Sequence, residues 1–182
     1  MAAWSPEPPS IEAVTTRRAA LIAAVGFAAF LLDRVSKALV VANVPLHDTR
    51  EIIGNLLRIT HTQNSGSAFG LFQERTMVLS VLSVVAVGAI LYYYRTLAAR
   101  SPLLAATLGM QLGGAFGNLV DRLGQGYVVD FIDAGLGGVR FWAFNLADSS
   151  IVVGIFLLSG LLWLEERRSP RPAGGGPLAA GE

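Results

Sequence analysis

The sequence predicts an all-α integral membrane protein with four transmembrane helices, and three observations lead to this prediction. Hydrophobic residues occupy 53% of the 182 positions and charged residues only 15%, which is too apolar for a soluble domain of this length. The apolar residues are gathered in four runs, each long enough to cross a bilayer core of about 30 Å. Arginines flank these runs mainly on one side, which indicates a defined orientation in the membrane.

The first run begins at Ala19 and continues past Asp33, Arg34 and Lys37. A cleaved secretory signal has an apolar core of only about 7–15 residues, followed by a cleavage site of small residues. This run is longer and has no such site. We therefore predict a retained first span over about residues 19–44.

The other three spans are predicted over about residues 76–94, 101–122 and 145–164, within a membrane domain that covers residues 19–166. Four spans place both termini on the same side of the membrane. That side carries more basic residues than the opposite loops, which makes it cytoplasmic. The cytoplasmic set is Arg17, Arg18, Arg95, Arg100, Arg167, Arg168 and Arg171, whereas the opposite loops carry Arg50, Arg58, Arg75 and Arg140.

The two ends of the chain are predicted to be disordered and cytoplasmic. Residues 1–18 form a leader that contains three prolines among polar residues. Residues 167–182 form a tail rich in proline and glycine.

The outer loops predict a small β-sheet on the extracytoplasmic side. Leu57 and Ile59 alternate with Arg58 and Thr60, the period of a half-buried strand. Residues 127–133 and 139–144 flank a glycine-rich turn, which is typical of a strand pair.

Composition also excludes several kinds of function. The chain has no cysteine, so disulfides, thiolate metal sites and a cysteine nucleophile are absent. Its two histidines, His47 and His61, are not in a zinc-protease pattern. A net charge of +1 gives no basic surface for nucleic acid. We expect no metal and no cofactor.

Polar residues from all four spans are predicted to lie in one layer near the outer membrane surface. A charge deep in a bilayer costs about 2.5–3.5 kcal/mol on insertion scales, so carboxylates there indicate function. A polar layer at the edge of the bilayer would suit hydrolysis of a lipid-anchored substrate. Its members are Asp33, Lys37, Asn64, Gly66, Asn118, Asp121, Arg122, Asn145 and Asp148.

Five short motifs occur in a fixed order along this layer. They are residues 33–37 (DRVSK), 64–70 (NSGSAFG), 117–122 (GNLVDR), 129–131 (VDF) and 144–148 (FNLAD). Together they resemble the motif set of lipoprotein signal peptidase, also called signal peptidase II, over about residues 20–165. One departure is Arg34, where the family more often has glutamine.

The resemblance implies an aspartyl endopeptidase of the bacterial cytoplasmic membrane, with Asp130 and Asp148 as its catalytic pair. The implied substrate is a prolipoprotein whose cysteine already carries diacylglycerol, and the cut falls just before that cysteine. Asn118, Asp121, Arg122 and Asn145 would support the site or contact the substrate. The resemblance also implies inhibition by the cyclic peptide globomycin.

Other roles are open for several of these residues. Asp148 could cap the fourth helix, and Asp121 beside Arg122 is more typical of a structural ion pair. Arg122 could bind lipid phosphates of the membrane or orient the substrate backbone.

Packing roles are open for a second group. Asn118 and Asn145 could hydrogen-bond between helices rather than bind a peptide backbone. The spacing of Asp33 and Lys37, one helical turn apart, favours an intramembrane ion pair between them. A stripe of small residues on the third span indicates helix packing rather than chemistry, at Gly109, Gly113 and Gly117.

Two other classes of protein compete with the peptidase. A small transporter or channel subunit also carries polar residues in its bundle, but it would spread them along the membrane depth. A membrane scaffold without enzymatic activity would not need two separate aspartate motifs in one layer.

Overall fold

The computed structural model describes residues 10–66, 76–136 and 138–168. These residues form four long helices and one four-stranded antiparallel sheet. The helices are α1 Ile11–Asn43, α2 Thr76–Arg100, α3 Pro102–Gln125 and α4 Leu146–Arg168. Each contains a stretch long and apolar enough to cross a membrane. The predicted architecture of four membrane helices with a small sheet is thereby confirmed.

Both terminal segments that were predicted to be disordered include residues that are helical in the structure. The first helix begins at Ile11, because the Ser10 hydroxyl accepts a hydrogen bond from the Ala13 amide at 3.2 Å and so caps it. Residues 11–18, assigned to the leader, are therefore helical. At the other end, Arg167 and Arg168 belong to the last turn of α4 rather than to the tail. The rest of the leader, residues 67–70 of the second motif and the rest of the tail lie outside the described residues.

The third helix is the centre of the bundle, since α1, α2 and α4 all pack against it. The glycine stripe makes the approach of α1 possible. A Cβ atom on Gly109 would lie 2.8 Å from the Ile22 carbonyl oxygen, and one on Gly113 would meet the Gly26 carbonyl oxygen. The stripe is thus a packing surface, as predicted.

The sheet has the order β1-β2-β3-β4. Its strands are β1 Thr49–Ile53, β2 Leu57–Asn64, β3 Val128–Leu136 and β4 Val139–Arg140. The predicted strand at residues 139–144 is shorter than expected, because regular pairing ends at Arg140 and resumes only as a single bridge between Phe144 and Ile132. Sequence reasoning missed β1, whose residues are all exposed and show no alternation.

The sheet is attached to the bundle by a small apolar cluster. Phe131 of β3 packs against Val40 and Val44 at the end of α1. The Phe131 amide donates to the Phe144 carbonyl oxygen at 3.0 Å, just before α4 begins. These contacts fix the middle of β3 next to the first turn of α4.

Candidate active site

Asp130 lies near the start of β3, opposite Thr62 of β2, and is only 3% exposed. Two side-chain amides hold its carboxylate. Asn145 Nδ2 donates to Oδ1 at 2.7 Å, and Asn64 Nδ2 donates to Oδ2 at 2.7 Å. Burial, together with the nearby Asp148 carboxylate, raises the pKa of Asp130 to about 6.

Asp148 lies in the first turn of α4 and is held by a capping box. The Asn145 side-chain oxygen accepts from the Asp148 amide at 2.9 Å, while Asp148 Oδ2 accepts from the Asn145 amide at 3.3 Å. The other carboxylate oxygen, Oδ1, accepts from Asn118 Nδ2 at 2.7 Å. Asp148 therefore does cap α4, but with one oxygen only, and the cap fixes the carboxylate in place.

Asn145 joins the two aspartates, although it is completely buried. Its Nδ2 group binds Asp130, and its Oδ1 atom and backbone amide bind Asp148. A single amide side chain thus sets the position of one carboxylate relative to the other. These hydrogen bonds place Asn145 in contact with both carboxylates, which agrees with a role in supporting the site.

A cluster of buried charges lies behind Asp148, between α1 and α3. Lys37 donates to Asp33 Oδ2 at 2.7 Å, which confirms the predicted ion pair, and to Asp121 Oδ2 at 2.6 Å. Arg34 binds the other oxygen of Asp121. The ion pair expected between Asp121 and Arg122 is wrong, because consecutive helical residues do not face each other.

Asp33 also connects this cluster to α4. Its Oδ1 atom accepts from the backbone amide of Ala147 at 2.9 Å, which satisfies one of the free amides of the first turn. Gly117 makes room for this carboxylate, since a Cβ atom there would lie 2.8 Å from Asp33 Oδ2.

Two further predicted residues, Gly66 and Arg122, lie around the pair. Gly66 donates its backbone amide to Asn64 Oδ1 at 2.9 Å, which turns the Asn64 amide group toward Asp130. Arg122 donates to the Asn118 carbonyl oxygen at 3.4 Å, and its buried Nε atom has no partner among the described residues. This guanidinium is therefore held loosely beside Asp148.

A cleft of about 480 Å³ opens next to the pair. Asn118, Arg122 and Asp148 form its polar end, and most of its remaining wall is apolar. In the described residues the backbones of α2 and α4 do not pack together, so the cleft lies between them with α3 as its floor. Its lining residues from α2 are Leu79, Leu82, Ser83, Ala86, Ala89 and Ile90.

Sequence reasoning missed two features of the site. The contact of Arg34 with Asp121 was not foreseen, although Arg34 follows Asp33 and faces the same helix. The lining of the cleft gave no signal, because alanine, leucine and isoleucine are what any membrane helix contains. Among the described residues, no group of three or more His, Cys, Asp or Glu side chains could share a metal ion.

Comparison with known proteins agrees with this geometry. A family model described as signal peptidase (SPase) II matches residues 25–164. The lipoprotein signal peptidase of Halothermothrix orenii is 40% identical over 139 residues, which cover 75% of this chain and 91% of that protein. The chain belongs to the signal peptidase II family.

Other relatives and two solved structures extend the match. The lipoprotein signal peptidase of Moorella thermoacetica is 41% identical over 143 residues, covering 76% of this chain and 92% of that protein. A bacterial membrane enzyme solved by the in meso method at 2.3 Å resolution matches with a TM-score of 0.73 and 28% identity, over 81% of this chain and 91% of that one. A second, solved at 1.9 Å, matches with a TM-score of 0.69 and 29% identity, over 76% and 89%.

Family membership confirms the activity that the sequence predicted. This signal peptidase II is an aspartic peptidase that removes signal peptides from prolipoproteins, and it is a multi-pass bacterial membrane protein. The competing interpretation as a transporter or channel subunit is therefore wrong.

Proposed function

We propose that Asp130 and Asp148 are the catalytic pair, and that the enzyme cuts diacylglyceryl-modified prolipoproteins just before the lipidated cysteine. The observation that carries the proposal is the shared contact with Asn145, which joins Asp130 to Asp148, and Asp148 lies at the polar end of an apolar cleft. Neither carboxylate forms an ion pair with any described residue. Both are thus free to exchange protons.

The chemistry needs one proton shared between the two carboxylates. The ionised group takes a proton from a water molecule as its oxygen bonds to the scissile carbonyl carbon, and the protonated group donates to the carbonyl oxygen. In the second step, the C–N bond breaks as the first group returns its proton to the leaving nitrogen, and a hydroxyl of the intermediate reprotonates the second. The raised pKa of Asp130 supports such sharing near neutral pH.

The orientation in the cytoplasmic membrane rests on charge. Arg17, Arg18, Arg100 and Arg167 lie at the end of the bundle opposite the pair and the sheet. The positive-inside rule makes that end cytoplasmic. Both termini are then cytoplasmic, and the site and the sheet face outward at the edge of the bilayer.

The cleft supports a substrate that enters from the membrane. It opens between α2 and α4, and its lining from Leu79 to Ile90 extends about 16 Å along α2. Each buried methylene of an acyl chain contributes about 0.8 kcal/mol, so two chains would hold the scissile bond at the level of the pair. We assign Arg122 to contact with the substrate or with lipid phosphates, because its buried Nε atom has no partner among the described residues. The other polar residues are supporting: Asp33, Lys37, Asn64, Gly66, Asn118, Asp121 and Asn145.

The test is cleavage by purified enzyme in detergent micelles. We expect Asp130→Asn and Asp148→Asn each to abolish cleavage of a diacylglyceryl-modified precursor, with the double variant no worse than either, because the carboxylates act as a unit. A cooperative thermal unfolding transition would show that the variants remain folded. Substantial processing by either single variant would remove that residue from the proposed pair.

The same assay tests how the substrate is recognised. We expect the wild-type enzyme to cut an unmodified precursor, with a free thiol, far more slowly than the diacylglyceryl form, and globomycin to inhibit the reaction. Equal rates for the two precursors would mean that the enzyme does not recognise the diacylglyceryl group of the substrate.

A further inference from the structure

Lys37 is the centre of the buried cluster behind Asp148, and its side chain is only 3% exposed. A lysine has three N–H donors and no acceptor. Here the three meet three oxygens, on Asp33 at 2.7 Å, Asp121 at 2.6 Å and Asn118 at 3.1 Å. The ammonium group is therefore fully used within the protein, and no donor is left for a substrate.

The contact with Asn118 decides which way that amide faces. Since the ammonium can only donate, the Asn118 oxygen must point toward Lys37, and its NH₂ group must point the other way. That group donates to Asp148 Oδ1 at 2.7 Å. Turning the amide over would bring two donors together at Lys37 and two acceptors together at Asp148. Lys37 thus forces Asn118 to present a donor to the carboxylate.

The surroundings of the two aspartates are not symmetrical. Asp148 lies in the first turn of α4, where the helix dipole favours a negative charge, and Lys37 reaches it through the Asn118 amide. Asp130 lies on a strand and is held by the neutral amides of Asn64 and Asn145. Lys37 of α1 and Arg122 of α3 are the charged groups that act on both aspartates. Around Lys37 lie three further charges, on Asp33, Asp121 and Arg34. Among the described residues, α2 lines the cleft with uncharged side chains.

We infer that Lys37 is a positioning residue which, through Asn118, keeps Asp148 ionised, so that Asp148 is the base and Asp130 carries the shared proton. The inference rests on the proposed function of the pair. Asp148 then takes the proton from water while Asp130 donates to the carbonyl oxygen, and Asp148 returns its proton to the leaving nitrogen as Asp130 is reprotonated.

The cluster as a whole is electrically neutral, because Asp33 and Asp121 balance Lys37 and Arg34. A variant that changes this balance by one charge changes the potential at Asp148. Lys37→Gln leaves the cluster with a net negative charge, which disfavours the ionised form of Asp148. Asp121→Asn leaves the cluster with a net positive charge, which favours that form. The two variants should therefore act in opposite directions, which loss of a purely structural contact would not produce.

The measurement is the pH profile of kcat/KM on the diacylglyceryl-modified precursor, which reports ionisations of the free enzyme. We expect the acid limb to move up by about one pH unit in Lys37→Gln and down by about one in Asp121→Asn, a shift of the size that a nearby charge causes. The alkaline limb, which reports loss of the Asp130 proton, should move less, because Asp130 does not contact Asn118.

Lys37→Gln leaves the buried Asp33 carboxylate without a cation, so it could fail to fold. Arg34→Gln is the milder alternative, since the Arg34 side chain is 39% exposed, and it should move the acid limb up by a smaller amount. Matched controls are Arg100→Gln and Glu165→Gln, which make the same charge changes at the opposite end of the bundle and should leave the profile unchanged.

Three outcomes would overturn the inference: acid limbs that do not move in the folded variants, limbs that move in the same direction, or an alkaline limb that moves more than the acid one. In each case the wild-type enzyme still cleaves and the Asp130→Asn and Asp148→Asn variants still do not, so the proposed catalytic pair would stand. Failure of the pair itself would instead appear as activity in those variants.

Discussion

The two faces of α3 hold their aspartates in opposite ways. Toward α1 the helices are in close contact, since a Cβ atom on Gly113 would meet the Gly26 carbonyl oxygen, and Asp33 and Asp121 are both paired with Lys37. Between α2 and α4 the same helix borders an open cleft, which Asp148 lines. Among the described residues, Asp148 and the neighbouring Asp130 accept hydrogen bonds only from uncharged amides.

This difference explains why four buried or half-buried aspartates of one membrane protein need not share one role. A desolvated carboxylate with a cation at 2.7 Å forms a structural ion pair, and loss of the cation would leave an unpaired charge in the interior. A carboxylate held by neutral donors can gain or lose a proton at modest cost. The side of α3 that packs against α1, which we call the closed face, therefore provides support. The side of α3 that borders the cleft, which we call the open face, provides the chemistry.

The largest effect should come from forcing the closed face apart. We expect Gly113→Val to destabilise the protein by about 3 kcal/mol or more, because the new side chain overlaps the Gly26 backbone and overpacking of this kind is costly. The measurement is thermal unfolding in detergent.

Gly88→Val is the matched control on α2. A Cβ atom on Gly88 would meet no atom within 4 Å, so the same substitution should be neutral or slightly stabilising, by a few tenths of a kcal/mol. If the two variants unfolded at the same temperature, the glycine stripe would not be what closes this face.

A smaller effect should appear in the pH dependence of stability, through Asp130. Its pKa is raised from 3.8 to about 6 in the folded protein, so folding takes up a proton between these values. The contribution of Asp130 is therefore fully present below about pH 4 and is lost as the pH rises to about 6. We expect the unfolding temperature of Asp130→Asn, relative to wild type, to rise over this window and to stay level above it. A difference that is constant across the window would mean that Asp130 is no harder to ionise in the folded protein than in the unfolded one.

Much of this architecture could be predicted from the sequence, because membrane helices are specified by composition and length. The ion pair of Asp33 with Lys37 was predictable too, since it lies within one turn of one helix. The contacts of Asp121 with Lys37 and Arg34, and of Asn145 with Asp130, join residues far apart in sequence, and no local pattern encodes them. The start of α1 was missed because Ser10 was read with the preceding prolines rather than as a cap.

The smallest effect should come from narrowing the open face without touching the polar end of the cleft. Ala86 of α2 lines the cleft, and Ala86→Phe would fill part of it. Because no catalytic group changes, kcat should be nearly unchanged, while KM for the diacylglyceryl-modified precursor should rise about tenfold, as for a poorer fit in an apolar pocket. Val85→Phe is the control, since Val85 is 61% exposed and is not part of the lining. It adds an aromatic ring to the same turn of α2 but should change neither constant. An unchanged KM in Ala86→Phe would mean that the substrate reaches the pair by another route, and the open face of α3 would then lose its proposed role as the entry from the membrane.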